Sequence, residues 1–353
     1  MSHLHLTNPL ATPDQVYRRT NFSALPTDLQ DLIFFQSQQL TQSAGLLLQL
    51  PQSVTAQANV LLARFWLVEP ILSQEFAPLS AAALYLVAKL GPAPASARNI
   101  CNVYTYLLSP PSPLFRDADT AGAAGGRLKA PDDLSSYTPT EGEYQAFHTT
   151  ILRLEARILY ALGFDTHVAL PHALAVTYLQ SLDFFALPSQ AQKNQLAGLA
   201  IRYLNTALLS PQQLYVTHQP PSLAVAALYN AARDLGVKMP ECEWWEVFDV
   251  EREELGFLVV GMRSLTGWVE KVKEEGLCGG LKEGMVDRDM VEKEMERRGM
   301  RLGNGKDNGQ GIGDATAEEK EMDEEDMLAR KMDERIAEKE AEGMGFPMDG
   351  IEQ

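Results

Sequence analysis

Cysteine is scarce in this chain. Cys101, Cys242 and Cys278 lie far apart among 353 residues. They form no CxxC and no metal-ligand spacing, and an odd count in a chain of this length fits a reducing compartment rather than a disulfide framework. Positive charge is also in short supply. Lys and Arg number 30 against 47 Asp and Glu, a formal net charge of −17. That balance argues against a nucleic-acid binder, whose phosphate contacts need clustered Lys and Arg, and against binding to anionic membranes. The longest charge-free apolar stretches, such as "PLSAAALYLVA", are too short to span a bilayer. The opening "MSHLHLTNPLATPDQ" lacks the basic-then-apolar layout of a signal peptide. Strand-like alternation with turn signals, Gly-rich phosphate loops and nucleophile elbows are absent as well. What is present in quantity is hydrophobic residues, 45% of the chain, enough for a substantial core. The expectation is a soluble intracellular protein of one to three domains, with no cofactor, no metal, no membrane and no direct nucleic-acid partner.

The apolar residues that are there recur at helical spacing. After a mostly extended lead-in over 1–27, with room for one short helix, five segments read as helices. They are "TDLQDLIFFQSQQLTQSAGLLLQL", "QSVTAQANVLLARFWLV", "PLSAAALYLVAKLG", "ASARNICNVYTYLL" and the stretch from Glu141 to Phe164. Between the last two, residues 109–141 are rich in Pro, Gly, Ala and Ser and read as a flexible loop. A second set of five follows from Pro171: "PHALAVTYLQSLDFF", "QAQKNQLAGLAIRYLNTALLS", "SLAVAALYNAARDLG", "CEWWEVFDV" and "EREELGFLVVGMRSLTGWVEKVKEE".

The two sets share a register. "AALY" stands at 82–85 and again at 226–229, an offset of 144, and at the same offset Val103-Tyr104 matches Val247-Phe248. Each AALY helix runs to a glycine, Gly91 or Gly236, and on through a proline. A period this long means duplication of a domain, not a solenoid. The predicted organisation is an N-terminal extension (1–27), a first repeat (28–166), a second repeat (167–276) and a charged tail (277–353). From residue 279 onward 22 acidic and 12 basic residues give a balance of −10. This composition predicts a largely disordered tail. A thin stripe of Leu328, Met332 and Ile336 leaves open a helix that orders on a partner.

Two charges stand out. In "LRLEARILYALGF" (152–164) Glu155 has Ile151, Leu152, Ile158 and Leu159 as its helical neighbours, while Arg153 and Arg157 face the other way. In "PLSAAALYLVAKLG" Lys89 has no carboxylate three or four positions away. A buried and unpaired charge costs about 3–5 kcal/mol. Packing the two helices side by side would let Lys89 and Glu155 pair on an otherwise apolar surface. The plain alternative is that each side chain reaches water at the edge of its stripe.

Two five-helix repeats, an AALY-type third helix ending in lysine, and "LRLEARILYALGFD" together resemble the cyclins. The likeness covers about 28–275 and is greatest to the L-type cyclins of the transcription and splicing branch, through "QSAGLLLQLPQSVTAQANVLLARFW" and "LPHALAVTYLQSL". It implies an all-α cyclin fold and a non-catalytic regulatory subunit. Its partner would be a cyclin-dependent Ser/Thr kinase, bound as a heterodimer, in a nuclear role in RNA polymerase II transcription or mRNA processing. By the resemblance, Lys89 and Glu155 contact each other and the kinase, and Lys89, Leu90, Glu155, Leu159 and Phe164 form the kinase-binding surface.

Three departures are visible. Two glutamates that usually follow the lysine are replaced by "KLGPAP". The hydrophobic substrate-docking motif of cell-cycle cyclins has no counterpart in "DLQDLIFFQSQQL". The Arg/Ser-rich L-type tail is replaced by an acidic one. The first departure leaves open a kinase-independent adaptor on the same fold. An enzyme using His148, His172 and Glu155 as acid and base groups lacks any accompanying motif. A DNA-bound factor like general transcription factor IIB would want a basic face and a zinc ribbon, and the sequence has neither.

Overall fold

The computed structural model describes residues 7–21, 23, 25–91, 94–109, 138–184, 190–275 and 285–300. Most of the loop read over 109–141, Cys278 and the stripe of Leu328, Met332 and Ile336 lie outside the described residues. Among the described residues all regular structure is helical. Helices α1 (Pro13–Asn21), α2 (Thr27–Leu47), α3 (Gln52–Val68), α4 (Phe76–Leu90), α5 (Ala97–Leu108) and α6 (Glu141–Ala161) come first. They are followed by α7 (Pro171–Ser181), α8 (Gln190–Leu208), the one-turn α9 (Leu214–Thr217), α10 (Pro220–Asp234), α11 (Arg252–Glu275) and α12 (Arg288–Arg297).

Local chemistry sets many of the ends. Ser96 accepts the Asn99 N–H at 3.1 Å to start α5. Thr140 and Glu143 form a reciprocal capping box at the start of α6. Pro171 and Pro220 occupy first-turn positions that need no N–H donor. Gly236, at φ +63°, follows α10 in the left-handed region that an L side chain disfavours.

Helix α4 is the hub of the first repeat, touching α2, α3, α5 and α6. Helix α10 has the same position in the second, touching α7, α8 and α11. The two AALY stretches lie in these hubs. Ala81, Ala82, Ala83, Ala226 and Ala227 are fully buried, and their small side chains let the surrounding helices approach closely. One hydrophobic core runs through both repeats, because α3 also contacts α8 and α9 of the second half.

Two readings of the sequence need correction. "CEWWEVFDV" is not a helix comparable to α5. Only Glu246–Phe248 forms a 3-10 turn, while Trp244 is buried, stacks edge-on against Trp245, and Asp249 turns left-handed. Anchoring one bulky ring replaces the period that a longer helix would need. The second correction concerns the tail: residues 285–300, assigned to it, are ordered against the body. Val286, Val291 and Met295 are buried there, and this apolar spacing is easily lost among charges in a sequence. The short α9 was not anticipated; it follows Gln213, which is itself left-handed at φ 54°.

The lead-in contains the one short helix expected, and it also ties the halves together. Asn8 is buried and makes a two-way bond with the Ala169 backbone, Nδ2 to O and N to Oδ1, each 2.8 Å. Its own backbone exchanges hydrogen bonds with the Gln219 side chain, both 3.0 Å. From α3, Gln57 and Arg64 donate to the carbonyls of Thr166 and His167 at 2.7 and 2.8 Å. The segment joining the repeats is thus held from two sides. Asn8→Ala removes two side-chain bonds and leaves the half-buried N–H and C=O of Ala169 without that partner, so unfolding stability should fall by about 1–2 kcal/mol. Urea denaturation of the full chain measures it.

Candidate docking surface

Lys89 lies in the last turn of α4, one residue before Leu90 ends the helix at Gly91. Glu155 lies on α6, which packs along α4. The Lys89 ammonium donates to the Glu155 Oε1. The pair is asymmetric: the Lys89 side chain is 50% exposed and that of Glu155 only 7%. The carboxylate is sunk beside the buried Ile151 and Ile158, and the ammonium closes over it from solvent. Lys89 also sits above the Tyr85 ring, 5.6 Å from its centroid, a cation–π contact that fixes its stem. Arg157, on the opposite side of α6 as its position predicts, pairs with Glu69 at 2.7 Å.

The other residues predicted for the surface lie on or directly after the same two helices. Leu90 is exposed at the end of α4. Leu159 follows Glu155 by one turn and is half-buried. Helix α6 ends at Ala161, earlier than its pattern suggested, because Gly163 and Phe164 both adopt left-handed backbone, φ 58° and 63°. Phe164 is 62% exposed, and its ring lies edge-on to Tyr160 with centroids 5.5 Å apart. Leu152, named from the sequence as a helical neighbour of Glu155, is a further exposed apolar side chain on α6 that the predicted surface left out. Tyr160, also exposed, lies on the side of α6 that carries Arg153 and Arg157. Leu90, Leu152 and Phe164 are thus exposed apolar side chains carried by, or directly following, the two helices that share the partly covered ion pair.

The histidines are engaged elsewhere. His148 lies in the third turn of α6, not at its start, and stacks on Tyr144. His172 bonds Asn205 through Nε2 at 2.9 Å, and burial pushes its pKa below the ordinary value. Among the described residues no three His, Cys, Asp or Glu side chains are grouped to hold a metal. No described helix is long and apolar enough to cross a membrane. Because the unfolded imidazole takes up its proton near pH 6.5 and the folded one only at lower pH, the unfolded state binds more protons in that window. Stability should therefore fall as pH drops below about 6.5, and His172→Gln should flatten that slope. Urea titrations at pH 7.5 and 5.5 compare the two proteins.

The likeness to known proteins extends to both fold and sequence. No family model matches the sequence. The fold matches a chain of the yeast RNA Pol II CTD kinase CTDK-1 complex, with a TM-score of 0.55 and 12% identity over 89% of each chain. It also matches a chain of the CAK complex from Chaetomium thermophilum bound to ATP-gamma-S, with a TM-score of 0.53 and 15% identity over 86% of this chain and 95% of that one. The architecture is the cyclin fold. In sequence, an uncharacterized cyclin-L1-like protein of Schizosaccharomyces pombe is 32% identical over 217 residues, 62% of this chain and 76% of the relative. Human cyclin-L2 is 30% identical over 240 residues, 66% of this chain and 40% of the relative. The chain belongs to the cyclin family, and within it to the L type. It spans about 40% of the length of human cyclin-L2.

Proposed function

We propose that this chain is the regulatory subunit of a cyclin-dependent Ser/Thr protein kinase, forming a heterodimer in the nucleus and acting in RNA polymerase II transcription or mRNA processing. It carries no active site of its own. The observation that supports this reading most directly is the Lys89–Glu155 pair joining α4 and α6, with exposed Leu90 at the end of α4 and exposed Phe164 just after α6. Kinase catalysis requires an internal Lys–Glu ion pair and an ordered metal-binding aspartate. A subunit that packs α4 and α6 against the kinase helix bearing that glutamate would bias the kinase toward its active arrangement. In this reading Leu90, Leu159 and Phe164 supply most of the affinity, and the ion pair supplies orientation and selectivity. The relatives named for L-type cyclins, and the kinase complexes that share the fold, support the same role.

A second reading has one observation in its favour. Helix α4 stops at Leu90 and its C-cap is Gly91, so the two acids that usually follow the lysine have no place. A kinase-independent adaptor on the same fold would not need them. Affinity purification of the full chain from its source separates the two. A co-purifying kinase whose activity on a Ser/Thr substrate rises with added chain supports the regulator. Recovery of stable partners without any kinase activity would overturn it in favour of the adaptor.

A further inference from the structure

Helix α2 is buried on nearly every side. Leu29, Gln30, Leu32, Ile33, Phe34, Phe35, Gln36, Ser37 and Gln38 are all buried, whereas a surface helix shows one inward stripe. Helices α3, α4 and α5 pack against it. Elsewhere on α2 Trp268 of α11 meets Phe35 edge-on, centroids 5.3 Å apart, and residues 285–300 bond to Gln36 and Asp28.

This segment runs antiparallel to α2. At one end the Val286 N–H donates to Gln36 Oε1 at 2.6 Å. At the other, Arg298 donates to both Asp28 oxygens, at 2.8 and 3.3 Å. Val286, Val291 and Met295 join the core that Leu29 and Leu32 line. The Arg288 backbone meets the Glu75 carboxylate just before α4. Helix α12 is self-contained: Asp287 caps it by accepting from Met290 N–H at 2.8 Å, and Gly299, at φ +72°, ends it. Arg298 also grips Glu294 at 2.9 Å, so one guanidinium joins the strap to itself and to α2.

We propose that the outer face of α2 is a helix-docking groove, that residues 285–300 are its resident but displaceable occupant, and that Arg298 is the latch. Three buried apolar side chains must offset the ordering of the whole segment. Asp289, Lys293, Glu296 and Arg297 stay exposed and add little. The latch sits at the rim, with Arg298 23% and Asp28 40% exposed, where water and salt compete with it. A displacing partner would be an amphipathic helix with aliphatic residues four or five apart and an arginine near its C-terminal end, aligned with Asp28.

Hydrogen exchange on the full chain tests this. In the wild type, amides of 285–300 should exchange about tenfold or more faster than those of the hub helix α4, through local opening. Arg298→Ala should speed exchange in 285–300 by about a further tenfold and leave α4 unchanged. Asp28→Ala should also speed exchange in 285–300, and the Asp28→Ala, Arg298→Ala double change should add less than the sum of the two single effects. Equal exchange of 285–300 and α4 in the wild type would show a permanently fixed segment and overturn the proposal. So would a uniform effect of Arg298→Ala on all helices. A labelled synthetic peptide of residues 285–300 should bind full-length Arg298→Ala more tightly than wild type by fluorescence anisotropy. Absence of binding to either protein overturns the groove itself.

Discussion

Phe164→Gly should leave the chain at least as stable as wild type while lowering kinase stimulation by roughly 30-fold. Phe164 stands at φ 63° directly after Gly163 at φ 58°. A bulky side chain held there costs on the order of 1 kcal/mol, which glycine releases. The ring is 62% exposed, so its loss removes little core contact. The ring's aromatic contact within the chain is the edge-on Tyr160, itself 75% exposed. If this surface docks a kinase, losing such an anchor costs about 2 kcal/mol of affinity, and that converts to roughly 30-fold. Glu155→Ala should act similarly through orientation, leaving Lys89 without its acceptor. Circular dichroism melts and a kinase assay with the partner isolated from the source provide both readouts. Full stimulation by the Phe164→Gly, Glu155→Ala double variant would remove this face from the mechanism.

Gly45→Val should destabilise the fold by about 3 kcal/mol or more. Helix α2 crosses α3 at Gly45, where a Cβ would come within 2.2 Å of Thr55 Oγ1, 2.7 Å of its Cγ2 and 3.1 Å of its Cβ. Thr55 is itself buried and short, so relief requires the helices to separate. Gly45→Ala gains about 1 kcal/mol of helix propensity and loses about 1–3 kcal/mol to overpacking. Its net cost should therefore be smaller than that of valine. Thr55→Ala made together with Gly45→Ala should recover most of the loss, since the two closest atoms disappear. Thermal and urea denaturation would record the series. A neutral Gly45→Val would mean that α2 and α3 do not pack as closely as described.

The helical periods in the sequence identified most of the elements, because each helix has to bury a stripe against its neighbours. The pairing of Lys89 with Glu155 was legible for the same reason. Two charges without local partners in apolar helices, 66 residues apart, had one economical arrangement, and the structure brings them together. What the sequence hid was context of other kinds. Leu152 looks like any member of an apolar stripe until the exact rotation of α6 is known. The turn around Trp244 rests on one buried ring rather than a repeat. Val286, Val291 and Met295 are too few among charges to outweigh a tail-like composition, and only the surface waiting on α2 gives them a role. Asn8 carries no signal at all, since its partners are backbone groups of Ala169 and a side chain 211 positions away.

The core shared by both repeats has a practical consequence for genetics. A damaging substitution in α8 or α10 need not touch the Lys89–Glu155 pair to disturb it, because α3 joins the halves in one continuous core. Such a lesion would melt both repeats in a single transition and lower the amount of protein in the cell. Alleles mapped to the second half would then resemble alleles that alter the Lys89–Glu155 pair itself, until the purified proteins were compared at equal concentration.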